Sequence, residues 1–402
     1  MIALLISCSK KEAVVSDNST ATLISYTLID SLSTSQLNNI NTKVLTGFLQ
    51  TATIKSDAYI NRMAKPVYPV KLYRVTYQSA IPEFGRPTTA SGLIAIPVVP
   101  NQQLPLISYQ HGTVFDKRMV PSVPSMSYET QFMISQFASQ GYVLIGADYF
   151  GLGENTTESN SYFVRNSTEQ ACLDMYYAAL QILEKEKISK TKFFVSGWSQ
   201  GAYNTMLFLR RLEIERIRVD AAFTAAAPVD PLFFVTRGLF NPRPIDADYT
   251  PAALCNLMLS VETYNRLEGL SKQYINPKYY QYARDFYDFK IDYSRFDSLV
   301  PKKLNEVFTQ AFFDDAKQAN TPFWKILNNS EAYKWLSVTP FTAYYGMMDE
   351  AVPETIAAYA VEYMRKLGKQ DAYQVNAGAN ADHRDTYIES LISAKPWIDS
   401  FR

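Results

Sequence analysis

A layered α/β domain is the architecture this sequence predicts: a mostly parallel sheet flanked by helices, with a helical, aromatic-rich insertion as a cap. Three observations lead there. Short continuous apolar runs alternate with helix-length segments over most of the chain, the pattern of strands buried on both faces of a parallel sheet. One long stretch interrupts that alternation and is dense in tyrosine and phenylalanine. The composition, 47% apolar and 19% charged in 402 residues, is that of a globular chain able to bury a large core.

Taken in order, Met1–Ser7 form an apolar run ending in Leu5-Ile6-Ser7-Cys8, which resembles the bacterial lipobox, where the cysteine becomes the lipidated first residue. The run is too short to span a bilayer, which takes about 20 apolar residues, and has no basic region before it. It reads as part of a longer signal or as a trimmed one. With the polar stretch that follows, residues 1–20 read as a lipoprotein signal remnant and tether. A frayed terminus in which Cys8 has no role is the competing reading. If the resemblance holds, the protein is extracytoplasmic and anchored to a bacterial membrane through its acyl chains.

Residues 21–65 show helical spacing without a chemical motif and are expected to form an N-terminal helical segment. The core is expected over 66–235 and 336–402, with the cap over 236–335. From Val67 the pattern alternates through Tyr68, Val70, Leu72 and Val75, breaks at Pro82–Pro87, and resumes at Gly92–Ile96, predicting two strands joined by a turn. Buried strands are then expected at Pro105–Tyr109, Tyr142–Ala147, Lys192–Ser196, Val219–Ala225, Pro340–Tyr344 and Ala372–Val375. Ser167-Thr168-Glu169-Gln170 has capping-box spacing ahead of an apolar helix. In the insert, two prolines one residue apart in Asn241-Pro242-Arg243-Pro244 exclude a helix interior, so it is expected to begin as a loop. Nine aromatics lie between Tyr274 and Phe296. They either pack on one another or line a substrate site.

Charge and residue supply exclude several functions. The 39 Lys+Arg balance 39 Asp+Glu, so the clustered positive charge that nucleic-acid binding requires is missing. Three cysteines, Cys8, Cys172 and Cys255, cannot build a disulfide scaffold. With only His111 and His383, a three-histidine metal site is excluded.

The chemistry concentrates in three places. Gly197-Trp198-Ser199-Gln200-Gly201 follows a predicted strand and precedes an apolar helix. A serine at such an elbow is presented from a strained backbone, its glycine neighbours let strand and helix approach, and the helix N-terminus favours negative charge. An ordinary N-cap serine is the alternative. Gln110-His111-Gly112-Thr113 ends an earlier strand, where an oxyanion hole needs its second donor. The first comes from Gln200 and the second from Gly112 or Thr113, with His111 organising the loop. A merely buried histidine is the alternative for His111. Third, Asp349, in Tyr345–Pro353, and His383, in Ala381–Arg384, each follow a predicted strand. A serine hydroxyl needs a neutral imidazole to take its proton, and the imidazole needs a carboxylate to fix its tautomer. Asp230 is the reserve acid, and Glu350 is expected to point elsewhere.

In the order Ser199, Asp349, His383 these residues resemble the α/β-hydrolase superfamily. Gly146-Ala147-Asp148-Tyr149-Phe150-Gly151-Leu152-Gly153 is similar to the loop after the fourth core strand of many members, and Tyr109-Gln110-His111-Gly112-Thr113 with the cap position is similar to bacterial secreted lipase and esterase-like proteins. The resemblance covers residues 66–402. Trp198 departs from it, being bulky beside the nucleophile, and either narrows the acyl pocket or packs behind the elbow.

The resemblance implies a serine esterase or lipase acting through an acyl-enzyme on a small-molecule or glycan ester, with no metal or organic cofactor. Two rivals remain at this stage: a serine peptidase with the same triad, and a non-catalytic binding lipoprotein.

Overall fold

The predicted apolar runs become strands of one sheet in the computed structural model, which describes residues 22–49 and 56–402. The reading of Cys8 and the tether lies outside the described residues. The strands are β1 (Leu23–Leu32), β2 (Val70–Ile81), β3 (Arg86–Pro97), β4 (Gln103–Gln110), β5 (Val143–Ala147), β6 (Ser189–Trp198), β7 (Ala221–Ala225), β8 (Phe341–Tyr345) and β9 (Ala372–Asn376). They are arranged β1-β2-β3-β5-β4-β6-β7-β8-β9. Pairing is antiparallel from β1 to β5 and parallel from there to β9.

Apolar side chains pack on both faces of the parallel part. Helices Arg165–Lys185 and Gln200–Ile214 cover one face together with the cap, and helices Tyr128–Gln136 and His383–Asp399 cover the other. Phe193 and Phe194 illustrate why β6 shows no alternation in sequence: successive side chains point to opposite faces, and both are fully buried. Each such side chain stabilises the fold by about 2 kcal/mol on transfer from water.

Three expectations need correction. Leu23–Leu32 is a strand and not part of a helical segment. It lies antiparallel to β2 along its length, and its ladder hydrogen bonds together with the β-favouring Ile24, Tyr26, Thr27 and Ile29 outweigh the apolar spacing. Helical turns begin only at Thr34, where Ser33 and Gln36 form a capping box. The Ser167–Gln170 signature does not cap its helix, which already starts at Arg165; the Ser167 hydroxyl donates to Glu83 Oε2 at 2.6 Å instead. The cap boundary expected at residue 236 falls inside the helix Pro231–Phe240, because Asp230 caps that helix and Pro231 opens it. Asn241–Pro244 is loop, as the prolines require, and lies between this helix and Thr250–Asn265.

The cap continues through helices Leu270–Tyr274, Pro277–Tyr287, Tyr293–Leu299, Leu304–Val307, Gln310–Gln318 and Pro322–Asn329. Its aromatics pack on one another, as Phe286 does on Phe296 with centroids 4.6 Å apart. They also reach the core domain, where Phe286 and Tyr293 meet Phe115, two residues beyond Thr113.

Candidate active site

Strand β6 ends at Trp198 and the next helix begins at Gln200, leaving Ser199 alone at the elbow with φ 59° and ψ −129°. A non-glycine residue in this region costs of order 1–3 kcal/mol and persists only where its surroundings enforce it. Here β7 does so, because the Ser199 N–H donates to the Ala225 carbonyl at 2.9 Å. The flanking glycines are obligatory: a Cβ on Gly201 would lie 1.9 Å from the Gln110 carbonyl oxygen, and one on Gly197 2.4 Å from that of Gly201. The Ser199 side chain makes no capping hydrogen bond.

His383 is placed by its own helix N-terminus. Asp382 accepts from the Arg384 and Asp385 amides and Asp385 reciprocates, so the helix starts at His383. Its backbone N–H donates to Glu350 Oε2 at 3.0 Å, so Glu350 does not point away from the site but braces the histidine's main chain. Trp198 completes the support. Its indole N–H donates to the His383 carbonyl at 3.0 Å, and its ring packs against the His383 and Tyr387 rings at 4.7 and 4.9 Å. The bulky residue beside Ser199 therefore packs behind the elbow and against the histidine.

Asp349, fully buried in the loop after β8, faces the imidazole: His383 Nδ1 lies 3.0 and 2.9 Å from its two carboxylate oxygens. Oδ1 also accepts the Ala351 and Val352 amides at 2.9 and 2.7 Å, which fixes the carboxylate plane. Burial pulls the His383 pKa down, but the Asp349 charge and hydrogen bond outweigh it and leave the pKa raised above its ordinary 6.5. Asp230 is spent elsewhere. Its carboxylate caps the Pro231–Phe240 helix through the Phe233 amide and accepts the Tyr333 hydroxyl.

The other histidine has no access to solvent. His111 stacks on Tyr149 at 4.2 Å, with Nδ1 2.8 Å from the Gly112 carbonyl and Nε2 3.1 Å from that of Asp148. Burial lowers its pKa to about 4, against the pull of the two carbonyls, so at pH 7 the neutral ring donates to one of them and packs as a strut between the Gly112 and Asp148 loops. Tyr149, held at φ 67°, donates its hydroxyl to the His111 carbonyl. Asp148 anchors the second loop through Ser91 and the Ser122 amide.

Of the three residues expected to supply oxyanion donors, Gln200 and Thr113 have main-chain N–H groups with no partner among the described residues. Gly112 is different. Its N–H donates to Glu129 Oε2 at 2.9 Å, so its contribution is the missing side chain, since a Cβ there would lie 3.4 Å from Ser199 Cβ. The Thr113 hydroxyl is 3.0 Å from that of Tyr162.

The cap is fastened to the acid loop. Arg243 Nη2 donates to the Asp349 carbonyl at 2.7 Å and the Ala247 amide to that of Glu350 at 3.0 Å, while Asp246 pairs with Arg237 and Arg243. A cavity of about 460 Å³ lies beside this junction, lined by Phe234, Leu239, Leu254, Phe313 and Glu350 rather than by Ser199. Among the described residues no group of three His, Cys, Asp or Glu could hold a metal ion. Cys172 and Cys255 are free and buried.

No family model and no curated protein matches the chain. Solved structures do. A provisionally assigned hydrolase of Legionella pneumophila superposes with a TM-score of 0.81 at 22% identity, covering 94% of this chain and 98% of that one. The rice cell wall degrading esterase LipA of Xanthomonas oryzae, in a ligand-bound form, gives 0.81 at 20% identity over 95% and 99%. Lipase A of Candida antarctica in its closed state gives 0.63 at 15% identity over 96% and 85%. With its mostly parallel sheet between helices, the chain has the α/β-hydrolase fold.

Proposed function

We propose that this protein is a serine hydrolase that cleaves carboxylic esters through Ser199, His383 and Asp349. The observation that carries the reading is the buried Asp349–His383 pair, locked by Trp198 beside a serine whose backbone is strained outward at the β6 elbow. The esterase and lipase among the structures of like fold support the same class of chemistry. With Asp349 holding Nδ1–H, His383 presents a lone pair at Nε2 and takes the Ser199 proton as Oγ attacks the ester carbonyl. The Gln200 and Thr113 amides receive the oxyanion, which collapses to expel the alcohol with a proton from His383. Water activated by the same imidazole then releases the acid.

Phe115, with Tyr249, Phe286 and Tyr293 packed around it, puts aromatic surface beside the Thr113 loop. That favours an uncharged small-molecule or glycan ester as substrate. The lipid anchor at Cys8 is a separate proposal resting on the sequence. Incorporation of an alkynyl fatty acid into the chain in a bacterial host, lost in Cys8→Ser, tests it.

The catalytic reading is tested with Ser199→Ala, which should abolish both p-nitrophenyl ester hydrolysis and fluorophosphonate labelling while leaving the thermal transition in place. Undiminished labelling of the variant overturns it. Aminoacyl amides assayed beside esters report whether a peptidase reading fits better.

A further inference from the structure

Behind the Gly112–Thr113 loop lies a carboxylate for which the triad has no use. Glu129 sits in the first turn of the Tyr128–Gln136 helix and is only 8% exposed. Two donors converge on its Oε2, the Tyr109 hydroxyl from β4 and the Gly112 amide from the loop. Oε1 lies 3.1 Å from where a Gly112 Cβ would stand, on the side of that residue that also faces Ser199. The main chain is held as well, since the Tyr387 hydroxyl donates to the Glu129 carbonyl at 3.0 Å.

Burying a carboxylate is costly unless it is paired and hydrogen-bonded, and here the two donors both fall on Oε2. We propose that Glu129 is a positioning residue for acyl transfer: its carboxylate takes up the Gly112 amide, so that the oxyanion donor of this loop is Thr113, held in place before the ester arrives. The inference rests on the serine-hydrolase reading. Without Glu129 the His111–Gly112 peptide plane would be held only at its carbonyl, by Tyr149, and could tilt and carry Thr113 with it, whereas a charge-assisted hydrogen bond, roughly twice as strong as a neutral one, resists the rotation. The same carboxylate lies in the field of His383 and favours the imidazolium that forms as Ser199 attacks.

The groups facing Glu129 are Tyr109 on β4, the Gly112 amide, Tyr149 on the loop after β5, and Tyr387 and His383 on the last helix. Among them only His383 changes charge during turnover. Burial pushes the Glu129 carboxyl up to about 7, against the opposing pull of Tyr109, the Gly112 amide and His383. The carboxylate form therefore prevails above that pH, and the brace weakens as pH falls.

The test is kcat and KM against pH for hydrolysis of a p-nitrophenyl ester by the full chain, its Glu129→Gln variant and its Tyr109→Phe variant. Gln keeps the shape and loses the charge. It should lower kcat about 10-fold or more, part of the 10²–10³ that loss of a whole oxyanion donor costs, with KM little changed. The acid limb of kcat, steeper than one proton in the parent, should fall to the single proton of His383. Tyr109→Phe leaves the carboxylate in place but removes a donor that lowers its pKa, so the acid limb should move to higher pH while kcat at high pH stays near the parent value.

Parental kcat and limb slope in Glu129→Gln, or an unshifted limb in Tyr109→Phe, overturn the proposal while leaving the hydrolase reading intact. A parent that neither hydrolyses activated esters nor takes a fluorophosphonate overturns both.

Discussion

Replacing Asp349 by asparagine isolates the carboxylate's charge from its shape. Asp349 Oδ1 is fixed by the Ala351 and Val352 amides, which donate at 2.9 and 2.7 Å and accept nothing in return. An asparagine must therefore keep its carbonyl oxygen there, which puts its NH₂ at the Oδ2 position, 2.9 Å from His383 Nδ1. Two N–H groups repel at that distance, and the carbonyl oxygen 3.0 Å from Nδ1 already accepts two amides, so the variant favours an imidazole that accepts at Nδ1 and carries its proton on Nε2, the nitrogen that should be free to deprotonate Ser199. The fold keeps its hydrogen-bond count while the base is held in the wrong tautomer. Where the same change has been made in a triad of this kind the loss in kcat is about 10⁴-fold, or about 5 kcal/mol of transition-state stabilisation. Steady-state kcat for p-nitrophenyl ester hydrolysis, with the thermal midpoint as a check on folding, is the assay. Asp230→Asn is the control: it touches only the Pro231–Phe240 cap and the Tyr333 hydroxyl and should cost no more than about 1 kcal/mol of stability, with kcat nearly unchanged. A kcat within about tenfold of parent for Asp349→Asn would refute the assignment, because neither the carboxylate charge nor an amide N–H set against Nδ1 would then matter to the base.

His383 acts only when neutral, and its pKa is raised by Asp349, so kcat/KM in the Glu129→Gln background should fall with decreasing pH around a midpoint above 6.5, measurable by stopped-time assays across pH 5–9. His111 gives a stability signature of opposite origin. Its pKa is near 4 folded and 6.5 unfolded, so the unfolded chain binds the extra proton between those values. Stability is therefore lost as pH falls through that window, by about 3 kcal/mol in all, and His111→Asn should flatten the pH dependence of the denaturant midpoint by that amount. Equal slopes in both proteins would show that His111 is not a neutral strut. Trp198→Phe keeps the stacking on Tyr387 but removes the indole donor to the His383 carbonyl. It should cost about 1 kcal/mol of stability and lower kcat with little change in KM, as read by denaturation and steady-state kinetics.

The parallel strands were legible because burial on both faces leaves continuous apolar runs such as Lys192–Ser196, and the elbow was legible because two glycines at fixed spacing about a serine answer close approaches that no residue with a Cβ meets. β1 was not legible. Only Leu23 of its ten residues is buried, so its sequence carries no face preference, and its strand state comes from pairing with β2. The supporting residues of the site were equally silent. Glu129, Tyr149, Trp198 and Glu350 belong to different elements, and each acts on a main-chain group of a residue distant in sequence or on the loop behind it. A main-chain partner leaves no trace in residue identity, so spacing and composition do not show these contacts; only Trp198 stands out beforehand, as a bulky residue beside Ser199 for which packing behind the elbow is one of two readings. Glu350 is instructive: its carboxylate reaches the His383 amide because that histidine opens a helix, and an uncapped N-terminal amide attracts any nearby acid.

The placement of Trp198 also fixes where specificity must come from. Its indole lies behind the elbow, 8% exposed and bonded to the His383 carbonyl, so little of it is left to wall an acyl site. On the proposed reading, strand β6 then contributes only the serine, and the side chains that discriminate among esters belong to the loops and cap opposite it. There the Thr113 hydroxyl meets Tyr162, and Phe115 carries Tyr249, Phe286 and Tyr293 of the cap. Half-buried Tyr249 packs its ring on Phe115, and its pKa is raised first by burial and then by the nearby charges of Glu350 and Asp349. Tyr249→Phe deletes the hydroxyl and leaves the ring on Phe115. A role in gripping a polar alcohol group should appear as a loss in kcat/KM of about 10-fold for a sugar ester and almost none for a simple alkyl ester, since a missing hydrogen bond matters only to the substrate able to make it. Equal losses on both esters would instead mark Tyr249 as packing, and would move the search for the alcohol site to the cavity beside Phe234 and Phe313.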